Sequence, residues 1–425
     1  MVNRFFSGCS VGIFSPIRRT LSSNAVDATA TQIFGYAIDI VVITIMNFTA
    51  TQLGIMNAMG AISFLLLAVP IGSLVDRIGP FTILVLSLTL KALITLAVLA
   101  AFILDFAEFG LILTVVTLLG IVTVSSENAQ LAMVPLLTRN RDTVTSTVAR
   151  MTAADRIAAI GTPVLVGLVL ERSSVELPLS IALILFILAA IPIVGLLHSS
   201  RTQITGTTDR DKDHSLDVTE YTPSKRNIGH GFRVIAGNRL LFTTILLVTV
   251  GNIGLAIGDS IVSILVLRKL DLGSGFFGVM ASVSAVAGLT SALVVPRFAS
   301  RTNVRTAFAV GALCQAVAAL LPLLALIYAN SAVILLLAYS ISWSAIISFT
   351  NIVGTSYLTE AVRPTDLGRA GGARRMITMG AVPAAALGAG VLADTLSLAV
   401  PLIIWPTLTL SAAVVFFTMT RATNL

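Results

Sequence analysis

Charge is what this sequence lacks most. Asp, Glu, Lys and Arg together make 11% of its 425 residues, against about 25% for a soluble domain, so the chain cannot cover a water-facing surface. Cysteine is nearly absent, and Cys9 and Cys314 stand far apart, which excludes a disulfide framework or a thiolate metal site. Histidine is equally scarce: His198, His214 and His230 fall at the end of an apolar run or in the polar stretch that follows it. An intramembrane enzyme would need nucleophile, base and metal ligands grouped at membrane depth. With no histidine there and no P-loop, the chain is expected to be neither an enzyme nor a holder of metal or cofactor.

What fills the space is apolar. Hydrophobic residues make 56% of the chain and the mean hydropathy is +0.97. Apolar stretches of the roughly 20 residues that an α-helix needs to cross hydrocarbon recur along the chain, and the ten-residue alternation of a membrane barrel is missing. The pattern predicts an all-α integral membrane fold with twelve spans. The first six lie at about 25–47, 53–75, 81–104, 109–135, 145–170 and 177–198. The second six lie at about 240–266, 273–295, 306–328, 332–357, 371–393 and 397–420.

The 27 Lys and Arg residues sort these spans by side. With the N-terminus inside, nineteen fall in the termini and inward loops, five within or at the edges of spans, and three (Arg172, Arg268 and Lys269) in outward loops. Short inward loops collect positive charge, so both termini are expected in the cytoplasm and the chain in the inner (plasma) membrane. The formal charge of +7 then reflects topology and attraction to anionic lipid. No nucleic-acid partner is expected, since no soluble stretch is long enough for a basic folded domain.

Residues 199–239 mix both charge signs with few apolar residues and read as a solvated cytoplasmic linker. They divide an N-terminal half, 25–198, from a C-terminal half, 240–425, with a basic tail at 1–24. The halves share landmarks. Arg77 closes span two and Arg297 closes span eight, and 297 − 77 = 220. Pro163 interrupts span five and Pro383 span eleven, and 383 − 163 = 220. One offset for two independent landmarks argues for duplication, the parallel-repeat plan of one kind of secondary transporter.

Gly72-x-Leu74-x-Asp76-Arg77-x-Gly79, between spans two and three, resembles the signature loop of the major facilitator superfamily. Gly161-Thr162-Pro163-x-x-x-Gly167 in span five is similar to the antiporter motif of that superfamily's drug exporters. Gly35 and Asp39 in span one, Lys91 in span three and the Pro135–Arg141 turn resemble the branch that exports macrolides, siderophores and varied drugs. The usual pair of basic residues after the loop is replaced by Pro80-Phe81, and the span-four arginine of many proton-coupled exporters is missing. The resemblance implies alternating access and proton-coupled efflux. It also implies that Asp76 meets the N-terminal dipole of span eleven when the cytoplasmic side is closed.

Ionisable groups at bilayer depth cost at least about 2.5–3.5 kcal/mol on insertion scales, so each needs a cavity or a partner. Asp39, Glu127, Asp155 and Asp259 are therefore the proton-coupling candidates, led by Asp39 and Glu127, because a desolvated carboxyl group holds its proton more readily. Asp39 shares a face with Gly35 and Thr31, and Glu127 forms a polar stripe with Thr123 and Gln130. Asp155 and Arg156 are adjacent and point apart, while Arg156, Pro163 and Gly167 share one face. Arg156, Gln130, Asn252, Trp343 and Asn351 are the substrate-cavity candidates, with Ser344, Ser348 and Thr355 on the face of Asn351. Gly72, Asp76, Arg77, Gly79, Gly161, Pro163 and Gly167 are candidates for conformational control.

The partners expected are a small molecule, protons and membrane lipids, the chain acting as a monomer. Proton-driven efflux of small amphipathic molecules competes with uptake or exchange of a metabolite on the same fold. A receptor or an intramembrane enzyme is the remote third reading.

Overall fold

The computed structural model describes residues 16–137, 141–204, 229–295, 297, 303–363 and 366–421. Among them the fold is all helical. The first half comprises α1 (Pro16–Thr44), α2 (Ala50–Ile78), α3 (Pro80–Ile103), α4 (Phe109–Leu137), α5 (Arg141–Leu170) and α6 (Glu176–Ile204). After a short helix α7 (Gly229–Ala236) come α8 (Arg239–Ile264), α9 (Gly273–Val294), α10 (Val304–Ile327) and α11 (Ala332–Ala361). The last span is preceded by two short helices, α12 (Leu367–Gly380) and α13 (Val382–Thr395), and is itself α14 (Ala399–Arg421). Eleven segments among the described residues are long and apolar enough to cross a membrane, and the 29-residue α2 completes the twelve-span fold.

Three differences from the sequence reading have local causes. α1 starts at Pro16, whose fixed φ suits a first helical turn, so the expected tail contributes two turns with Ser23 and Asn24 buried. The expected linker contains α7, which packs on α8 and α12. Span eleven is broken at Ala381: Pro383 stands at the start of α13, where its missing N–H cannot continue a helix. Pro163, at the corresponding place in the other half, sits inside an unbroken α5. The carbonyl of Thr378, freed near the break, accepts a hydrogen bond from Nδ2 of Asn252 at 3.0 Å.

Among the described residues the halves meet tightly at one end, the end opposite Ile204 and Arg239. The largest hydrophobic cluster draws on both halves there, joining Phe34, Ile38 and Phe186 to Ile261, Leu336 and Trp405. The other three clusters each belong to one half.

Backbones approach closely at glycines. A Cβ on Gly54 would stand 2.6 Å from the carbonyl oxygen of Ala386, and one on Gly390 would strike the carbonyl of Ala50. The same holds for Gly167 against Ser274 and for Gly278 against Pro163. The antiporter-like run of α5 therefore supplies a glycine that seats α9, while a Cβ on Gly161 would meet nothing within 4 Å.

Polar latches lie over these contacts. Asp394 accepts hydrogen bonds from the N–H groups of Ala50 (3.0 Å) and Thr51 (2.7 Å) at the N-terminus of α2. Glu171 accepts one from Gly275 N (2.9 Å) near the start of α9. Each carboxylate satisfies donors that a helix start leaves without partners and meets the positive end of the helix dipole. The two latches exchange the roles of the halves. A third bond runs from Arg268, on a π turn after α8 (Leu265–Lys269), to the carbonyls of Ile43 and Phe48 at 2.8 and 2.9 Å.

At the other end the halves part. α4 packs against helices of its own half. Asp76 and Arg77 are exposed on the last turn of α2, and among the described residues Asp76 makes no hydrogen bond to α12. Gly79 holds φ +98°, a conformation that favours glycine, and turns the chain straight into α3. Gly72 faces open space.

Loss of the tight end shifts the balance toward a state closed at the opposite end. Gly278→Val, or Asp394→Asn combined with Glu171→Gln, is expected to move that equilibrium about tenfold, the effect of about 1.4 kcal/mol. Dipolar spectroscopy between spin labels at Arg77 and Arg363 reads the shift as a growing short-distance population. Trp405 is fully buried against Gly254 and Gly258 of α8. Gly258→Ala is therefore expected to lower the thermal midpoint, because overpacking costs about 1–3 kcal/mol.

Candidate functional site

Three cavities carry polar and charged side chains, and α5 divides two of them. The first lies within the first half, has a volume of about 360 Å³ and is lined from α1, α3, α4 and α5. Lys91 and Asp27 form an ion pair there at 2.8 Å, with side-chain exposures of only 1% and 6%. Lys91 also donates to Thr31 Oγ1 at 3.2 Å and stands 5.5 Å from the ring centre of Phe186. Gln130 donates to the second Asp27 oxygen at 3.1 Å. A lysine this deep is tolerated because carboxylate, hydroxyl and aromatic face together replace its water shell.

Glu127 and Asp155 line the same cavity and are exposed to it. Asn24 donates to Asp155 at 2.8 Å. Glu127 feels the charges of Lys91, Asp155 and Asp27, and also that of Arg375 from the other half. Three carboxylates thus share one ammonium group. Thr123, one turn before Glu127, has its hydroxyl oxygen buried without a hydrogen-bond partner among the described residues.

The second cavity, of about 280 Å³, sits between the halves near the tight end. Asp39 faces it from α1, together with Tyr36, and Asn57 of α2 donates to Ser260 of α8 at 2.6 Å. Phe277, Tyr339 and Trp343 line it from the second half. Trp343 packs edge-on against Trp405, with ring centroids 4.7 Å apart.

The third cavity, about 580 Å³, separates α5 from α9 and α11. Arg156 enters it opposite Ser344, Ser348, Asn351 and Thr355. Arg374 of α12 donates to Thr355 at 3.4 Å. The neighbours Asp155 and Arg156 therefore serve different cavities, as adjacent positions on a helix must.

The sequence candidates are distributed as follows. Glu127, Gln130 and Asp155 come together in one cavity, Asp39 and Trp343 in another, and Arg156 and Asn351 in the third. Asn252 bridges to α12 beside a narrow gap of about 20 Å³. Asp259 lies on α8, and its side chain is outside the described residues. Asp39 and Glu127, expected as joint leaders, occupy separate cavities. Thr31 and Asp39 share a face only loosely, since eight residues advance a helix by about 12 Å and about 80°.

The residue that sequence reasoning missed is Asp27, the partner of Lys91. Extending the Thr31–Gly35–Asp39 stripe by one turn reaches it, and Lys91 inside a span requires an acid somewhere. Its 64-residue separation from Lys91 leaves no local pattern.

Comparison with known proteins agrees with this geometry. Among solved structures, a mutant of the nucleoside transporter NupG superposes with a TM-score of 0.75 at 12% identity, covering 95% of this chain and 100% of that one. A POT family transporter in complex with 5-aminolevulinic acid gives 0.71 at 13% identity, covering 96% of each chain. A bacterial homolog of the human lysosomal transporter Spinster, in an inward-facing and unoccupied conformation, gives 0.68 at 14%, covering 96% and 98%. At such identities the likeness is one of fold. By sequence, no curated protein matches the chain. The family model described as Major Facilitator Superfamily matches residues 20–346, and with twelve spans in two six-helix halves around these cavities, the chain belongs to the Major Facilitator Superfamily.

Proposed function

We propose that the chain is a proton-coupled secondary transporter that expels small amphipathic molecules by alternating access. The observation that carries this reading is the carboxylate cluster of the first cavity. Asp27 is held by Lys91, whereas Glu127 and Asp155 face the cavity as carboxyl groups without an ion-pair partner in its lining, influenced by Arg375 and Arg156 from outside it. A proton neutralises part of such charge, and its loading and release couple proton flux to the rocking of the halves. With both termini in the cytoplasm, the open end faces inward and substrate enters from inside. Each proton returning through the cluster supplies about 2.3 kcal/mol per 100 mV of membrane potential.

In this scheme Glu127 is the principal proton carrier and Asp155 its neighbour in a relay. Arg375 of the other half acts on Glu127 through its charge, and in this scheme that influence changes as the halves rock. Lys91 fixes Asp27 and, through Gln130, the side of α4 that carries Glu127.

Two expected outcomes separate coupling from mere structure. In inverted vesicles with a collapsible pH gradient, screened with amphipathic dyes and siderophores, Glu127→Gln abolishes gradient-driven transport and leaves counterflow exchange intact. Undiminished driven transport in this variant removes Glu127 from the mechanism. Lys91→Ala alone strands a buried carboxylate and lowers stability by about 3–5 kcal/mol, read as a drop in thermal midpoint. Combining it with Asp27→Asn recovers most of that stability without recovering driven transport. Recovery of both assigns the pair a purely structural role.

A further inference from the structure

The first cavity accounts for the proton, and its acids stand apart from the aromatic surfaces of the second. The second cavity has different chemistry. Four aromatic side chains, Tyr36, Phe277, Tyr339 and Trp343, share its lining with Asp39, the one carboxylate among the described lining residues, and no Lys or Arg is among them. Tyr36 and Phe277 approach edge to face across the two halves, with ring centroids 6.4 Å apart. Tyr339 and Trp343 stand 6.2 Å apart on α11. Trp343 is 95% buried, and its indole N–H has no hydrogen-bond partner among the described residues.

Aromatic faces present negative electrostatic potential, and a cation within about 6 Å of a ring centre is attracted without needing to be hydrogen-bonded. A cavity lined by a carboxylate and several aromatic side chains favours a positive charge that carries no donors of its own, since a methylated or arylated cation gives up little water on entry. A neutral amphiphile would gain only the apolar contact, and an anion would meet Asp39 and the ring faces as repulsion.

We propose that this cavity is the substrate-recognition site and that it selects organic cations of the quaternary-ammonium type. Asp39 then recognises substrate and leaves proton handling to the Glu127 cluster, about three turns further along α1. The inference names the substrate class of the transporter proposed above and rests on that reading.

Both tryptophans of the chain, Trp343 and Trp405, belong to this site or its rear wall, so intrinsic fluorescence reports occupancy directly. The purified full-length chain in nanodiscs is titrated with benzyltrimethylammonium and, separately, with neopentylbenzene, its neutral carbon isostere. The cation is expected to quench with at least about tenfold higher affinity than the isostere, and Asp39→Asn to shrink that difference severalfold while the aromatic contribution remains.

Equal affinity of cation and isostere in the wild-type protein overturns the proposal without recourse to any variant. So does a fluorescence response that Asp39→Asn leaves unchanged, or no response to the cation. The titration is run with no pH gradient, so it reads binding alone. Failure of proton coupling therefore appears in the vesicle assay alone, and failure of the recognition site appears in the fluorescence titration.

Discussion

Two helical bundles in hydrocarbon have little hydrophobic reason to stay together, because lipid tails are as apolar as their side chains. What binds them is close van der Waals contact and polar bonds, and both depend on small residues at the point of contact. In this chain that contact is concentrated at Gly54, Gly167, Gly278 and Gly390, each with another backbone where its own side chain would be. The helix-capping carboxylates Asp394 and Glu171 lie beside these glycines, so backbone contact and charge act at the same end. Everything described between the halves follows from this. Among the described residues, nothing comparable holds the other end.

The charges are sorted with equal economy. α5 presents Asp155 to the acidic cavity and Arg156 to the larger one, a separation that costs one residue of helix. α1 does the same along its length, giving Asp27 to Lys91 and, three turns later, Asp39 to the aromatic cavity. Asp27, Asp39, Lys91, Glu127, Asp155 and Arg156 each have an ion-pair partner or a cavity to face, and most of the exposed large apolar side chains are Leu, Ile and Val.

Much of this could be read from the residues alone. Hydropathy and the bias of Lys and Arg gave the span count, and the repeated offset of 220 gave the two halves. The faces were legible wherever helical periodicity governs them. Thr123, Glu127 and Gln130 do line one wall, and Ser344, Ser348, Asn351 and Thr355 another. Long-range pairing was not legible. Lys91 announces that it needs an acid, but Asp27 lies 64 residues away on another helix, at the edge of an apolar run where it passed for a boundary residue. The latches were hidden for the same reason. Asp394 looks like a loop acid until the start of α2, 343 and 344 positions away, is set against it. The separation of Asp39 from Glu127 depends on how α1 rotates across eight residues, which a sequence stripe blurs.

The break at Ala381 makes the two equivalent gate helices mechanically unlike. α5 crosses as one rod of 30 residues, whereas its counterpart is two 14-residue pieces joined at a single residue. Between the latch at Glu171 and the pair Asp155 and Arg156, the helix is continuous and weakened only at Pro163. Between Asp394 and the pair Arg374 and Arg375, the chain passes through the joint at Ala381. Any rocking of one half against the other would therefore be carried unequally, by a continuous rod on one side and a jointed pair on the other.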